Sequence, residues 1–131
     1  ARMSDGGSVV TTSSQTALLA PPGLAAYAGT KAGADHIVRI AAVEYGGQNI
    51  RVNSLSPGFT PSAMTEGFLA MPNIRQAFLN EIPMGKLPST EDMANAALWL
   101  LSDESFMTGR MLDISGGQTL RRVPTATEMG F

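Results

Sequence analysis

No cysteine occurs in this chain of 131 residues. Disulfide staples and thiolate metal centres are therefore excluded. The single histidine, His36, is too few for a histidine-built metal site, and no metal is implied. Charge is also sparse: Asp, Glu, Lys and Arg make up 15% of residues, the net charge is −2, and no run of like charge occurs. Such a surface invites neither nucleic acid nor an anionic membrane. No apolar stretch reaches the ~20 residues of a membrane-spanning helix. The opening, ARMSDGG, has none of the apolar character of a secretory signal. These absences lead to the expectation of a soluble, cytoplasmic protein. The length suits one domain with a core of its own.

What is present concentrates between Ser13 and Lys31, in the stretch SSQTALLAPPGLAAYAGTK. Pro21-Pro22-Gly23 can continue neither a strand nor a helix and reads as a turn. From Leu24 to Tyr45 an alanine-rich apolar run reads as one long helix. Tyr27 and Lys31 then lie at i and i+4 on one helical face, with Cβ atoms about 5–6 Å apart. A phenol with a pKa near ~10 is a poor base at neutral pH. An ammonium one turn away favours the phenolate and lowers that pKa. A tyrosine so tuned can take a proton from an alcohol or return one to a developing alkoxide. A serine hydroxyl held nearby can donate a hydrogen bond to the same oxygen.

Ser14, Tyr27 and Lys31 stand in the pattern Ser-x12-Tyr-x3-Lys, which resembles the catalytic signature of the short-chain dehydrogenase/reductases. GGSVVTTSS is similar to that family's serine-bearing strand. AAVEYGGQNIRVNSLSPGF is similar to its helix end, next strand and Pro-Gly loop, and GRMLDISGG to its last strand and closing glycines. The likeness runs from about Gly6 to Gly117. It implies an α/β fold, a Rossmann-like doubly wound parallel sheet, of which this chain holds the C-terminal half. It also implies a domain over residues 1–120 followed by a tail, 121–131. The family's Gly-rich turn, which cradles a pyrophosphate at a helix N-terminus, has no counterpart here. Gly29-x3-Gly33 falls inside the helix and follows no strand. The chain is thus read as beginning just before the fifth strand, as a fragment or as one of two chains.

Taken in order, Asp5-Gly6-Gly7 reads as a turn and Ser8–Thr12 as a buried strand. Ser13 and Ser14 fall at its carboxyl end and should point opposite ways; the family spacing selects Ser14. The long helix is apolar on more than one face, so one side should cover the sheet and the other a partner. Ala28, Gly29, Ala32 and Gly33 permit close approach there. The resemblance implies a homo-oligomer, dimer or tetramer, formed through the 24–45 helix. His36 is read as packing or surface, and Gly46-Gly47 as the helix C-cap.

Ile50–Leu55 is the next strand. The resemblance puts the Pro57-Gly58 loop beside a nicotinamide. The family's usual Val or Ile is replaced by Thr60 and its usual Thr by Ser62, and Pro61 between them restricts Thr60 and removes one donor. Met64–Ile82 reads as two short helices broken at Pro72-Asn73, in the position of the family's substrate-covering segment. Its methionines and phenylalanines suit an apolar or mixed substrate. Ser89 or Thr90 caps a helix to Leu101, with Trp99 read as core. Met111–Ile114 is a last strand, and the segment from Leu120 to Phe131 is left open.

The resemblance therefore implies interconversion of an alcohol and a ketone or aldehyde by hydride transfer with NAD or NADP. Tyr27 would be the general acid/base. Lys31 would tune it and hold the nicotinamide ribose. Ser14 would polarise the substrate oxygen, with Pro57, Gly58, Thr60 and Ser62 lining the cofactor. A different class of function stays open: an inactive fragment, or a structural half that needs a partner chain to bind cofactor. Cofactor binding separates the two.

Overall fold

The structure, a computed structural model, describes Met3 and residues 6–131. Asp5, the first residue of the expected turn, lies outside the described residues. Three strands form one parallel sheet: β1 (Gly7–Thr12), β2 (Ile50–Pro57) and β3 (Met111–Ile114), in the order β1-β2-β3. Gly7 pairs with Ile50 and Thr12 with Leu55; Ser54 pairs with Met111 and Pro57 with Ile114. The central strand β2 is buried almost without interruption from Ile50 to Ser56, as a strand covered on both faces must be. Parallel neighbours need long crossovers. Helix α1 (Ala25–Tyr45) joins the first pair. Helices α2 (Glu66–Leu69), α3 (Pro72–Glu81) and α4 (Thr90–Leu101) lie between the second. Among the described residues no helix is long and apolar enough to cross a membrane.

Helix α1 packs Val38 and Ala42 on Ile50 and Val52 of β2, with Ala41 at the margin. His36 is exposed, as expected. The opposite side carries Ile37, 67% exposed, and Val43, 85% exposed. The helix ends with Gly46 as its C-cap, as read from the sequence, but without the left-handed turn that favours glycine. Gly46 keeps a right-handed conformation and opens a 3-10 turn, Gly46–Gln48; Asn49 takes the left-handed position instead, with φ 57°. Asparagine is the residue other than glycine that most readily does so.

The Ile50-Arg51-Val52-Asn53 stretch owes its form to fastening. The Arg51 guanidinium donates to the carbonyls of Leu100 and Ser102, both at 2.8 Å, and so satisfies the end of α4. Asn53 is fully buried. Its Nδ2 donates to the Met107 carbonyl at 2.7 Å, and its Oδ1 accepts from the Arg110 N–H at 3.1 Å. One side chain thus ties β2 to the segment that leads into β3.

Two further expectations are corrected. The two short helices read after β2 are present, but the break falls at Ala70-Met71 and Pro72 opens α3, where proline's missing N–H costs nothing. Trp99 is not core but 40% exposed, while Leu100 beside it is completely buried. In the run Leu98-Trp99-Leu100-Leu101, apolar residues cover every side of the helix, so composition does not reveal which one faces inward. The start of α4 is as read: Ser89 accepts from the Asp92 N–H, and Asp92 accepts from the Ser89 N–H in return.

The tail folds back on α3. Arg121 donates to the Asn80 carbonyl at 2.8 Å, and Arg122 bridges Glu81 and Glu128, each at 2.7 Å. Glu128 belongs to α5 (Ala126–Met129) and completes a capping box with Thr125. The Arg122 guanidinium, with the Thr125 N–H and hydroxyl, holds the Glu128 carboxyl down to about 2 from its ordinary 4.5. Because the folded value lies below the unfolded one, this contribution is complete above the ordinary value and is lost as pH falls through about 2. Acidification toward pH ~2 is therefore expected to release α5, seen as lost amide-exchange protection at Met129 and Gly130 while β2 stays protected. Protection at those amides that does not change with pH would contradict this.

Candidate active site

In a parallel sheet all carboxyl ends lie along one rim, where ligands of open α/β folds gather. Here that rim holds Ser13 and Ser14 after β1, Pro57 and Gly58 at the end of β2, and Ser115 to Gly117 after β3. Helix α1 packs against the short turn Gln15–Ala17 that follows the serines.

The two serines part as alternation requires. Ser13 is 3% exposed, and its Oγ donates to Asp35 Oδ2 of α1 at 2.6 Å. Ser14 caps the Gln15–Ala17 turn. Its Oγ accepts from the Thr16 N–H at 3.2 Å and from the Thr16 hydroxyl at 3.0 Å. Both bonds come in to the Ser14 oxygen, which leaves its own proton to donate outward.

Tyr27 and Lys31 occupy the first turns of α1. Tyr27 is exposed, and Lys31 is half-buried. Lys31 Nζ lies 5.8 Å from the centroid of the Tyr27 ring, inside the range of a cation–π contact. The same Nζ donates to the Thr12 carbonyl at 2.9 Å. Helix and strand end are therefore joined at the lysine, a contact that spacing along the chain does not announce.

Gly58 is a glycine for want of room. A Cβ there would sit 2.7 Å from Ser115 Cα, and its N–H donates to the Ile114 carbonyl at 3.0 Å. Phe59 stacks on Phe78 of α3, centroids 3.9 Å apart, which couples the Pro-Gly loop to the covering helix. Thr60 Oγ1 donates back to the Gly58 carbonyl at 3.0 Å. Thr65, which the sequence reading missed, holds this loop closed. Its hydroxyl donates to the Thr60 carbonyl at 2.6 Å and accepts from the Ser62 N–H at 3.0 Å. The signal was available as a Ser-x-x-Thr spacing, a common local side-chain-to-backbone motif. An open cleft of about 440 Å³ borders Ser62, lined also by Pro61, Glu66, Leu69 and Ala70.

Of the seven residues singled out in the sequence, Ser14, Pro57 and Gly58 lie at the rim and Thr60 and Ser62 in the loop leaving it, while Tyr27 and Lys31 stand on α1, with Lys31 bonded to the end of β1 and near the Tyr27 ring. Comparison with known proteins identifies the chain's relatives. The family model described as enoyl-(acyl carrier protein) reductase matches residues 1–119. Over 113 residues the chain is 40% identical to the 3-oxoacyl-acyl-carrier-protein reductase FabG of Thermotoga maritima, which covers 85% of this chain and 45% of that protein. A short-chain type dehydrogenase/reductase from Mycobacterium ulcerans superposes with a TM-score of 0.91 at 35% identity, over 96% of this chain and 46% of its own. A 7α-hydroxysteroid dehydrogenase, complexed with NADH and 7-oxo glycochenodeoxycholic acid, has a TM-score of 0.81 at 37% identity, over 86% of this chain and 44% of its own. The chain spans about half the length of the curated relatives it matches. The family model matched over nearly the whole chain, the parallel sheet and these likenesses show that the chain belongs to the short-chain dehydrogenase/reductase family.

Proposed function

We propose that the natural polypeptide carrying this sequence interconverts an alcohol and a ketone or aldehyde by hydride transfer with NAD or NADP. The observation that carries the reading is the Lys31 ammonium at the Tyr27 ring, on the rim where Ser14 keeps a proton to donate. The donor set suits the nicotinamide end of such a cofactor. Lys31 offers N–H groups to ribose hydroxyls, and the loop from Pro57 to Ser62 offers backbone groups and two hydroxyls to the carboxamide. When bound, the nicotinamide supplies or accepts the hydride. Tyr27 Oη gives a proton to the carbonyl oxygen, or takes it from the alcohol in the reverse direction. Lys31 stabilises the anionic ring oxygen that remains. Ser14 Oγ donates to the substrate oxygen and holds it against Tyr27.

Ser14→Ala in that polypeptide is expected to lower kcat by about a hundredfold, the worth of one preorganised donor at ~3 kcal/mol. An unchanged rate would remove Ser14 from the mechanism. Ser13 is a poor substitute, because its hydroxyl is already given to Asp35.

The substrate-covering role belongs to the segment from Met64 through α3, where exposed Met64, Phe68 and Met71 offer adaptable apolar contact. Self-association through α1 is part of the same proposal, supported by exposed Ile37, Ile40 and Val43 and by open space beside Gly29 and Gly33. Light scattering that returned a monomer would overturn that part.

A further inference from the structure

The geometry points to Ser13 and Asp35 as a buried positioning pair that sets where Ser14 stands relative to Tyr27; the inference rests on the catalytic reading above. Asp35 is 7% exposed, on an otherwise apolar buried stripe with Val38 and Ala42. A buried carboxylate is costly unless it is bonded. Asp35 accepts one strong bond, from Ser13 Oγ at 2.6 Å, and its Oδ1 has no partner. Neither residue can reach a substrate, since both side chains face into the seam between β1 and α1.

Their placement gives the bond its use. Lys31 and Asp35 are one turn apart on the same face of α1. Lys31 Nζ grips the Thr12 carbonyl, and Asp35 grips the Ser13 side chain. Two successive residues at the end of β1 are thus held by two successive turns of the helix that carries Tyr27. The Ser13 N–H is fixed on the other side by the Leu55 carbonyl at 2.7 Å. Ser14 is the next residue and points the other way. Its Oγ therefore inherits its position from the seam, to which Lys31, Asp35 and the Leu55 carbonyl each contribute a bond.

The test is a double-mutant cycle on kcat in the natural polypeptide, with KM followed alongside. Ser13→Ala is expected to lower kcat by about ten- to a hundredfold, since displacement of a reacting group by about 1 Å costs that much. KM for cofactor should hardly change. In the Ser13→Ala background, Ser14→Ala should then cost far less than it does alone, because the Ser14 hydroxyl is already misplaced. Asp35→Asn, which keeps an acceptor for Ser13, should retain most of the rate. If Ser13→Ala does not fold, Ser13→Ala/Asp35→Leu removes the donor and the orphaned charge together and reads the same coupling. Strictly additive effects of Ser13 and Ser14, or a Ser13→Ala enzyme with normal kcat, would overturn the pair's role. A Ser14→Ala enzyme with normal kcat would instead sink the catalytic reading on which it rests.

Discussion

Tyr27→Phe is expected to lower kcat of the natural polypeptide by about a thousandfold or more, the upper range of what a positioned proton donor contributes. The change removes one exposed oxygen and nothing that the fold uses. The Tyr27 ring keeps its contact with Lys31, because a phenylalanine face attracts the ammonium in the same way. Thermal stability should therefore stay near that of the parent, and binding of the reduced cofactor, followed by its fluorescence, should persist. A near-normal rate would show that another group moves the proton. Lost cofactor binding would instead assign Tyr27 to the binding surface.

The largest effect on stability is expected at Asn53. Asn53→Leu keeps the volume but leaves the Met107 carbonyl and the Arg110 N–H without their partner. Each buried group so orphaned costs about 1–3 kcal/mol, so a loss of about 2–5 kcal/mol is expected in urea or thermal unfolding. The consequence reaches the site. The Met107–Arg110 segment delivers β3, and β3 ends against Gly58 through the Ile114 carbonyl. Stability within about 0.5 kcal/mol of the parent would mean that water or a shifted backbone replaces the amide.

What could be read from the chain was what depends on neighbours along it. The β-branched run Val9-Val10-Thr11-Thr12 gave β1 but not its burial, for Val9, Thr11 and Thr12 are exposed among the described residues; the i, i+4 spacing placed Lys31 near the Tyr27 ring. Ser89 or Thr90, as cap candidates, marked the start of α4 to within a residue, and the structure selects Ser89. The Pro-Gly step after β2 marked the rim. What could not be read is decided by partners far away. Asn53 and Arg51 looked like strand residues, and only the fold brings residues 100–110 beside them. Family spacing alone separated Ser14 from Ser13; the physical difference, that Asp35 about three turns into α1 takes the Ser13 hydroxyl, needed the fold. Trp99 was misassigned because four apolar residues in succession give a helix no distinguishable inner face. At Pro72 proline was read as a breaker, when its position at the first turn made it an initiator.

The parallel register has a kinetic side as well. Gly7 pairs with Ile50 and Ser54 with Met111, so both pairings close across intervals of about forty to sixty residues, and no local hairpin is available to nucleate the sheet. During synthesis β1 emerges long before its only described partner. Until Ile50–Pro57 follows, β1 lacks the strand with which it pairs in the described residues. The helix that later clasps β1, already a local structure of 21 residues, comes out in between. The rim at the carboxyl ends of the strands is thus assembled late, when the strand end meets a helix that has already formed.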